Sequence, residues 1–174
     1  MKHRYGFIHE EFEIKVLILY ILRRLTAPVP IDILAELMLC DDGFSYFDFM
    51  ECINELVSTD HIIFENDMYV ITEKGIRNGE TTENRLPPSV RKIASDAAAT
   101  VRSSQHRNSM IKTLHKMNDD GTCMVLLSMS DGLGDVIKIE LYNMSEKQAM
   151  KLENGFHKNA EKAYSTLINT ILAK

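Results

Sequence analysis

Two short β-prone runs, residues 62–64 and 68–72, flank the pair Asn66-Asp67. Asn and Asp tolerate positive φ, so β-branched and aromatic residues on either side of such a pair predict a tight β-hairpin. The hairpin follows an amphipathic helical segment, 45–59, and leaves through Ile71-Thr72-Glu73-Lys74-Gly75. Helix, short hairpin and a Thr-x-x-Gly exit set the architecture expected of the first half of the chain.

Upstream, Ile14, Leu17, Ile18, Ile21, Leu22 and Leu25 recur at helical spacing and predict a helix over about 10–25. Val16, Leu19 and Tyr20 are apolar on its other side. A helix that is hydrophobic nearly all round is buried nearly all round, so its second side needs a cover, from the C-terminal region or from another subunit. Pro28 and Pro30 break this helix, and a second follows over about 31–40. Asp41-Asp42-Gly43 makes a turn, and Ser45 caps a third helix, with Asp48 near the positive end of its dipole. Phe44 reads as a core residue.

Residues 76–88 are polar and read as a short helical extension passing into a linker. Pro88 suits the first turn of a fourth helix reaching about 104, lined by Val90, Ile93, Ala97 and Val101. The period then changes. Residues 123–129 are unbroken apolar, the pattern of a strand covered on both faces, and residues 136–142 alternate. With Asp131-Gly132-Leu133-Gly134-Asp135 between them they form a hairpin, and 108–117 adds a third strand. Ser145 with Gln148 is a capping box opening a helix to about 173, with Ala149, Leu152, Phe156, Ala160, Tyr164, Leu167 and Ile171 facing in.

With 174 residues, 45% hydrophobic and 26% charged, the chain is neither disordered nor membrane-embedded. The apolar run 16–22 is too short to span a bilayer, and it lies behind Glu10, Glu11 and Glu13, unlike a signal peptide. Cys40, Cys52 and Cys123 show no C-x-x-C spacing and read as reduced thiols of a cytoplasmic protein.

The stretch Lys15-Val-Leu-Ile-Leu-Tyr-Ile-Leu, the proline-containing break and Tyr69-Val-Ile-Thr-Glu-Lys-Gly together resemble the N-terminal half of winged helix-turn-helix regulators of the PadR and MarR kind. The whole chain resembles more closely a small bacterial family known only as a domain of unknown function. That family pairs an N-terminal winged helix with a C-terminal strand-strand-helix unit. The resemblance implies an α+β fold: a winged helix-turn-helix, a small antiparallel β-meander and a long C-terminal helix. It implies a winged-helix domain over 1–80, then a linker helix and an α+β domain over 81–174 for dimerisation or effector binding. It also implies a transcriptional regulator.

The charge of the chain is uneven. Residues 1–84 carry 7 − 16 = −9, residues 85–116 carry 7 − 1 = +6, and residues 117–174 carry 6 − 8 = −2. A winged helix places its third helix in the major groove, where backbone contacts come largely from Lys and Arg. Here that helix offers Phe47, Asp48, Glu51, Asn54 and Glu55, and the hairpin tip is Glu65-Asn66-Asp67. Duplex contacts are therefore expected from Lys74, Arg77, Arg85, Arg91 and Lys92, with Lys2, Arg4 and Arg102 as further cations. The alternative is a protein-protein interaction module that does not bind DNA. A homodimer is expected, with Phe7, Phe12, Val16, Leu19 and Tyr20, in the N-terminal arm 5–12 and helix 1, as its interface and the C-terminal helix as a further candidate.

Neither the six histidines nor the serines and cysteines fall in a metal-ligand or nucleophile motif. No enzyme, cofactor or metal is expected. Met117, Met124, Met129, Met144 and Met150 suit either core packing or an adaptable effector pocket.

Overall fold

The computed structural model describes residues 6–173. Lys2, Arg4 and Tyr5, named above among the cations and in the N-terminal arm, lie outside the described residues. The fold is α+β, with six helices and two small antiparallel sheets among those residues. The chain divides into two compact units, up to residue 105 and from residue 106.

The first unit holds α1 (Glu11–Leu22), α2 (Ile31–Met38), α3 (Tyr46–Ser58), β1 (Ile62–Glu65), β2 (Met68–Ile71), α4 (Glu73–Thr82) and a 3-10 turn (Glu83–Arg85). It also holds most of α5 (Pro88–Met110). The hairpin turns through Asn66 at φ 52° and Asp67 at φ 61°, the two left-handed central residues of a type I′ turn. Val29 joins the hairpin edge by one antiparallel bridge, exchanging both backbone hydrogen bonds with Tyr69 at 3.2 and 2.8 Å.

The cover over the second side of α1 comes from the same unit. Segment 73–85 is helical, not a linker, and lies along α1. Gly79 allows the approach: a Cβ there would sit 2.7 Å from Arg23 Cδ and 3.3 Å from Leu19 Cβ. Tyr20 Oη donates to the Arg91 carbonyl of α5 at 3.1 Å. Val16, Leu19 and Tyr20 are consequently at most 4% exposed. This corrects their expected place in a dimer interface, since glycine-backed α4 and the start of α5 already cover them. Phe7 and Phe12, the other expected interface residues, are exposed. Leu86, Val90 and Ala94 enter the same core, and Phe44, Ala97 and Val101 pack against it, whereas Ile93 points outward.

The second unit is a β3-β4-β5 antiparallel meander, β3 (Ile111–Met117), β4 (Cys123–Ser130) and β5 (Asp135–Met144), with α6 (Glu146–Leu172) on it. α5 continues to Met110, so β3 starts three residues later than the expected 108. In register, Ile111, Met129 and Ile137 align across the sheet, as do Thr113, Leu127 and Ile139. Cys123, Val125 and Leu127 meet Ala149, Phe156 and Ala160 of α6 in one core. α6 covers this face alone. On the other, Met124 and Leu126 are half-buried, Ser128 is buried and Leu114 of β3 is exposed, so β4 is covered fully on one face and only partly on the other, against the expected cover on both. A bulge with Asn143 at φ 58° brings Met144 opposite Cys123.

Ser145 and Gln148 form the expected capping box: Ser145 Oγ accepts from Gln148 N at 3.4 Å and Gln148 Oε1 accepts from Ser145 N at 3.0 Å. Leu152 and Tyr164 pack against the core, but Leu167 and Ile171, expected to face in, are exposed at 43% and 69%. Met129 and Met144 pack against the core while Met117 and Met150 lie at the surface, so the methionines do not gather round one pocket. Among the described residues no helix is long and apolar enough to cross a membrane.

Candidate nucleic-acid interface

α3 presents its outer face because its apolar residues fall on one side. Phe49, Cys52, Ile53 and Leu56 are buried. Ser45 caps the helix: its Oγ accepts from Asp48 N at 3.2 Å, and Asp48 Oδ2 accepts from Ser45 N at 2.7 Å. Phe47, Glu51, Asn54 and Glu55 are left facing solvent. Tyr46, also exposed, tilts over Phe49 with ring centroids 5.9 Å apart.

The electrostatics of this face are one-sided. Residues 28–66, which include α2, α3 and β1, contain nine Asp and Glu and no Lys or Arg. Lys15 of α1 reaches Glu55 but is shared with Glu11, and hydrogen bonds to both hold its ammonium up at about 12. Lys15 is thus shared between two carboxylates. Burial pushes the Cys40 and Cys52 thiols up to about 11, so both stay protonated near neutrality.

The predicted cations lie on other elements and fall into two groups. Lys74 and Arg77 are exposed on α4, away from the side that carries the buried Gly75 and Gly79. Lys74 Nζ donates to the Thr59 carbonyl at 2.7 Å, which draws it to the C-terminal end of α3. Arg85 is exposed on the 3-10 turn. Arg91 and Lys92 line a 300 Å³ hollow with Tyr20, Arg24, Glu83 and Asp96. Arg91 is half-buried; its Nη1 donates to Asn84 Oδ1 at 3.3 Å, and its buried Nε has no hydrogen-bond partner among the described residues.

The structure adds a residue that sequence reasoning missed. Arg24 joins Arg91 and Lys92 in the hollow, its guanidinium 3.3 Å from the Tyr20 ring centroid and its Nη1 donating to the Tyr20 carbonyl at 3.0 Å. The signal was the i, i+4 spacing of Tyr20 and Arg24 on one helix face. Neighbouring Arg23 is spent on Glu80 and Glu83, at 3.1 and 3.0 Å.

Chemically, the α3 face and hairpin tip repel phosphate, whereas the outer side of α4 and the hollow beside α5 offer cations to an anion.

No curated protein and no solved structure matches this chain. The family model described as "Domain of unknown function (DUF4364)" matches residues 14–171, nearly the whole length. The chain belongs to the DUF4364 family.

Proposed function

We propose that this chain is a transcriptional regulator of the winged-helix kind. It acts as a homodimer and holds double-stranded DNA through cations of α4, the 3-10 turn and α5. Three helices and a hairpin in that order, with Val29 between the first two helices bridged to Tyr69 of the hairpin, support the winged-helix reading. The observation that carries the mode of DNA contact is the segregation of charge. Residues 28–66 hold no Lys or Arg, while Arg77, Arg85 and Lys92 are exposed without an acidic partner among the described residues. Phosphates are the natural partners of such cations, and contacts of that kind position a protein on a duplex without reading its sequence.

The homodimer uses the second unit. Leu167, Ile168, Ile171 and Leu172 make an exposed apolar stripe on the last turns of α6. Its spacing suits a helix pairing with its own copy.

A second reading, a protein-interaction module without duplex binding, is supported by Tyr46 and Phe47 standing exposed on the acidic α3. Titration of the full chain with a random-sequence duplex at two salt concentrations separates the two. Binding that weakens steeply with salt supports the regulator. Absence of binding at low ionic strength leaves the interaction module.

A further inference from the structure

The groove between α2 and α3 is left unused by duplex binding through α4 and α5. It encloses 390 Å³, within the range of about 300–1,000 Å³ common for binding clefts. Its floor is apolar, built from Ala35, Leu39, Phe44, Tyr46 and Phe49. Leu39 is 73% exposed and Tyr46 57%, and nearby Phe47 is 82% exposed. Three large apolar side chains in water around one bend of the chain are not explained by the core of this unit.

The rim is acidic. Asp32 and Glu36 stand one turn apart on α2, and Asp42 lies in the turn before α3; all three are exposed. The neighbouring Asp41 has a different task. Its carboxylate turns inward and accepts from the backbone N–H groups of Phe7, Ile8 and Gly43 at 2.8, 3.1 and 2.9 Å. Those bonds fix the turn, so the groove is preformed.

Rim and floor together restrict the occupant. An acidic partner or a duplex would meet carboxylates that have no ion pair among the described residues. A neutral apolar partner would strip water from them and give nothing in return. A basic amphipathic segment satisfies both, with apolar side chains on the floor and Lys or Arg at the rim, as helix-in-groove recognition does. We infer that the α2–α3 groove docks a basic amphipathic helical segment of a protein partner. This goes beyond duplex binding and stands whether or not α4 and α5 hold DNA.

The test uses the full chain and three labelled synthetic peptides of roughly four helical turns. They share apolar positions and carry Lys, Ser or Glu at the others. Fluorescence anisotropy should show the Lys peptide binding, the Ser peptide at least about tenfold weaker, and the Glu peptide weaker still. Glu36→Lys with Asp42→Lys should weaken the Lys peptide by about tenfold or more, and Leu39→Ser should do likewise. Asp67→Lys, at the hairpin tip, should leave it unchanged. These positions are exposed, and circular dichroism checks the fold of each variant. On the unaltered chain, affinity for the Lys peptide should fall as salt rises. Equal affinity for all three peptides overturns the inference, as does unchanged binding by the doubly substituted chain. So does no binding up to roughly 100 μM. If Leu39→Ser abolishes binding of a labelled duplex instead, the face belongs to nucleic acid and the inference falls.

Discussion

His61 Nε2 lies 2.6 Å from Asn78 Nδ2, and that contact ties the residue before β1 to α4. On the other side of the ring, Nδ1 is 2.8 Å from Thr59 Oγ1, which itself donates to the Glu55 carbonyl at 2.6 Å. Thr59 must therefore accept from Nδ1–H, leaving Nε2 to accept from the amide. The network assigns a neutral imidazole protonated at Nδ1.

Burial first, then the charge of Lys74, lowers the pKa of His61 below its ordinary 6.5. The unfolded chain thus takes up the proton at higher pH than the folded one. Stability contributed by neutral His61 is present above the unfolded value and is lost as pH falls below it towards the folded value. Denaturant unfolding at about pH 7.5 and about pH 5.5 should show this loss, and His61→Gln should reduce it. Equal losses in the two proteins would show that His61 is not its source.

Gly75 and Gly155 should respond oppositely to alanine. A Cβ on Gly75 would lie 2.1 Å from the His61 carbonyl oxygen and 2.8 Å from Ile71 Cγ1, where backbone has little room to yield. Gly75→Ala should cost about 1–3 kcal/mol in an unfolding titration. A Cβ on Gly155, in the middle of α6, meets nothing within 4 Å. Gly155→Ala should stabilise by roughly 0.5–1 kcal/mol. The reverse order would refute the packing described for the start of α4.

If Arg77 and Lys92 both touch phosphate, replacing both by Ala should flatten the slope of log K against log salt by about 2, since each contact contributes about 0.9. Affinity should fall on all duplexes alike. Replacing Glu51 by Ala should tighten non-specific binding. Loss of affinity for one duplex only, on changing Glu51, would mean that α3 reads bases.

The proposed dimer contact on α6 makes its own prediction. The unaltered chain should sediment at twice 19.9 kDa at micromolar concentration. Ile168→Glu with Ile171→Glu should return it to 19.9 kDa without loss of helix content. A wild-type chain that sediments only as the 19.9 kDa species removes the dimer.

The elements legible in the sequence are those set by short-range chemistry. Ser45 and Ser145 cap helices because a hydroxyl reaches an N–H three residues on. Asn66-Asp67 closes a hairpin because both adopt positive φ. The charge asymmetry, and with it the choice of candidate contact residues, is likewise a property of the chain. The family resemblance to a domain of unknown function was also legible, because it rests on residues spread over nearly the whole length.

Tertiary packing decided the rest, because burial depends on what arrives from far along the chain. The apolar second side of α1 demanded a cover, but only the folded unit reveals that polar α4 supplies it through Gly79, withdrawing Val16, Leu19 and Tyr20 from the surface. Arg24 joined Arg91 only when α1 and α5 met. The helical period of α6 continues past Tyr164 with no change in pattern. Yet α6 bends at Asn159, where φ is −130° and ψ 22°, and Leu167 and Ile171 beyond the bend are exposed. Periodicity states which side of a helix is apolar, and the packing of the neighbouring elements decides how much of that side is buried.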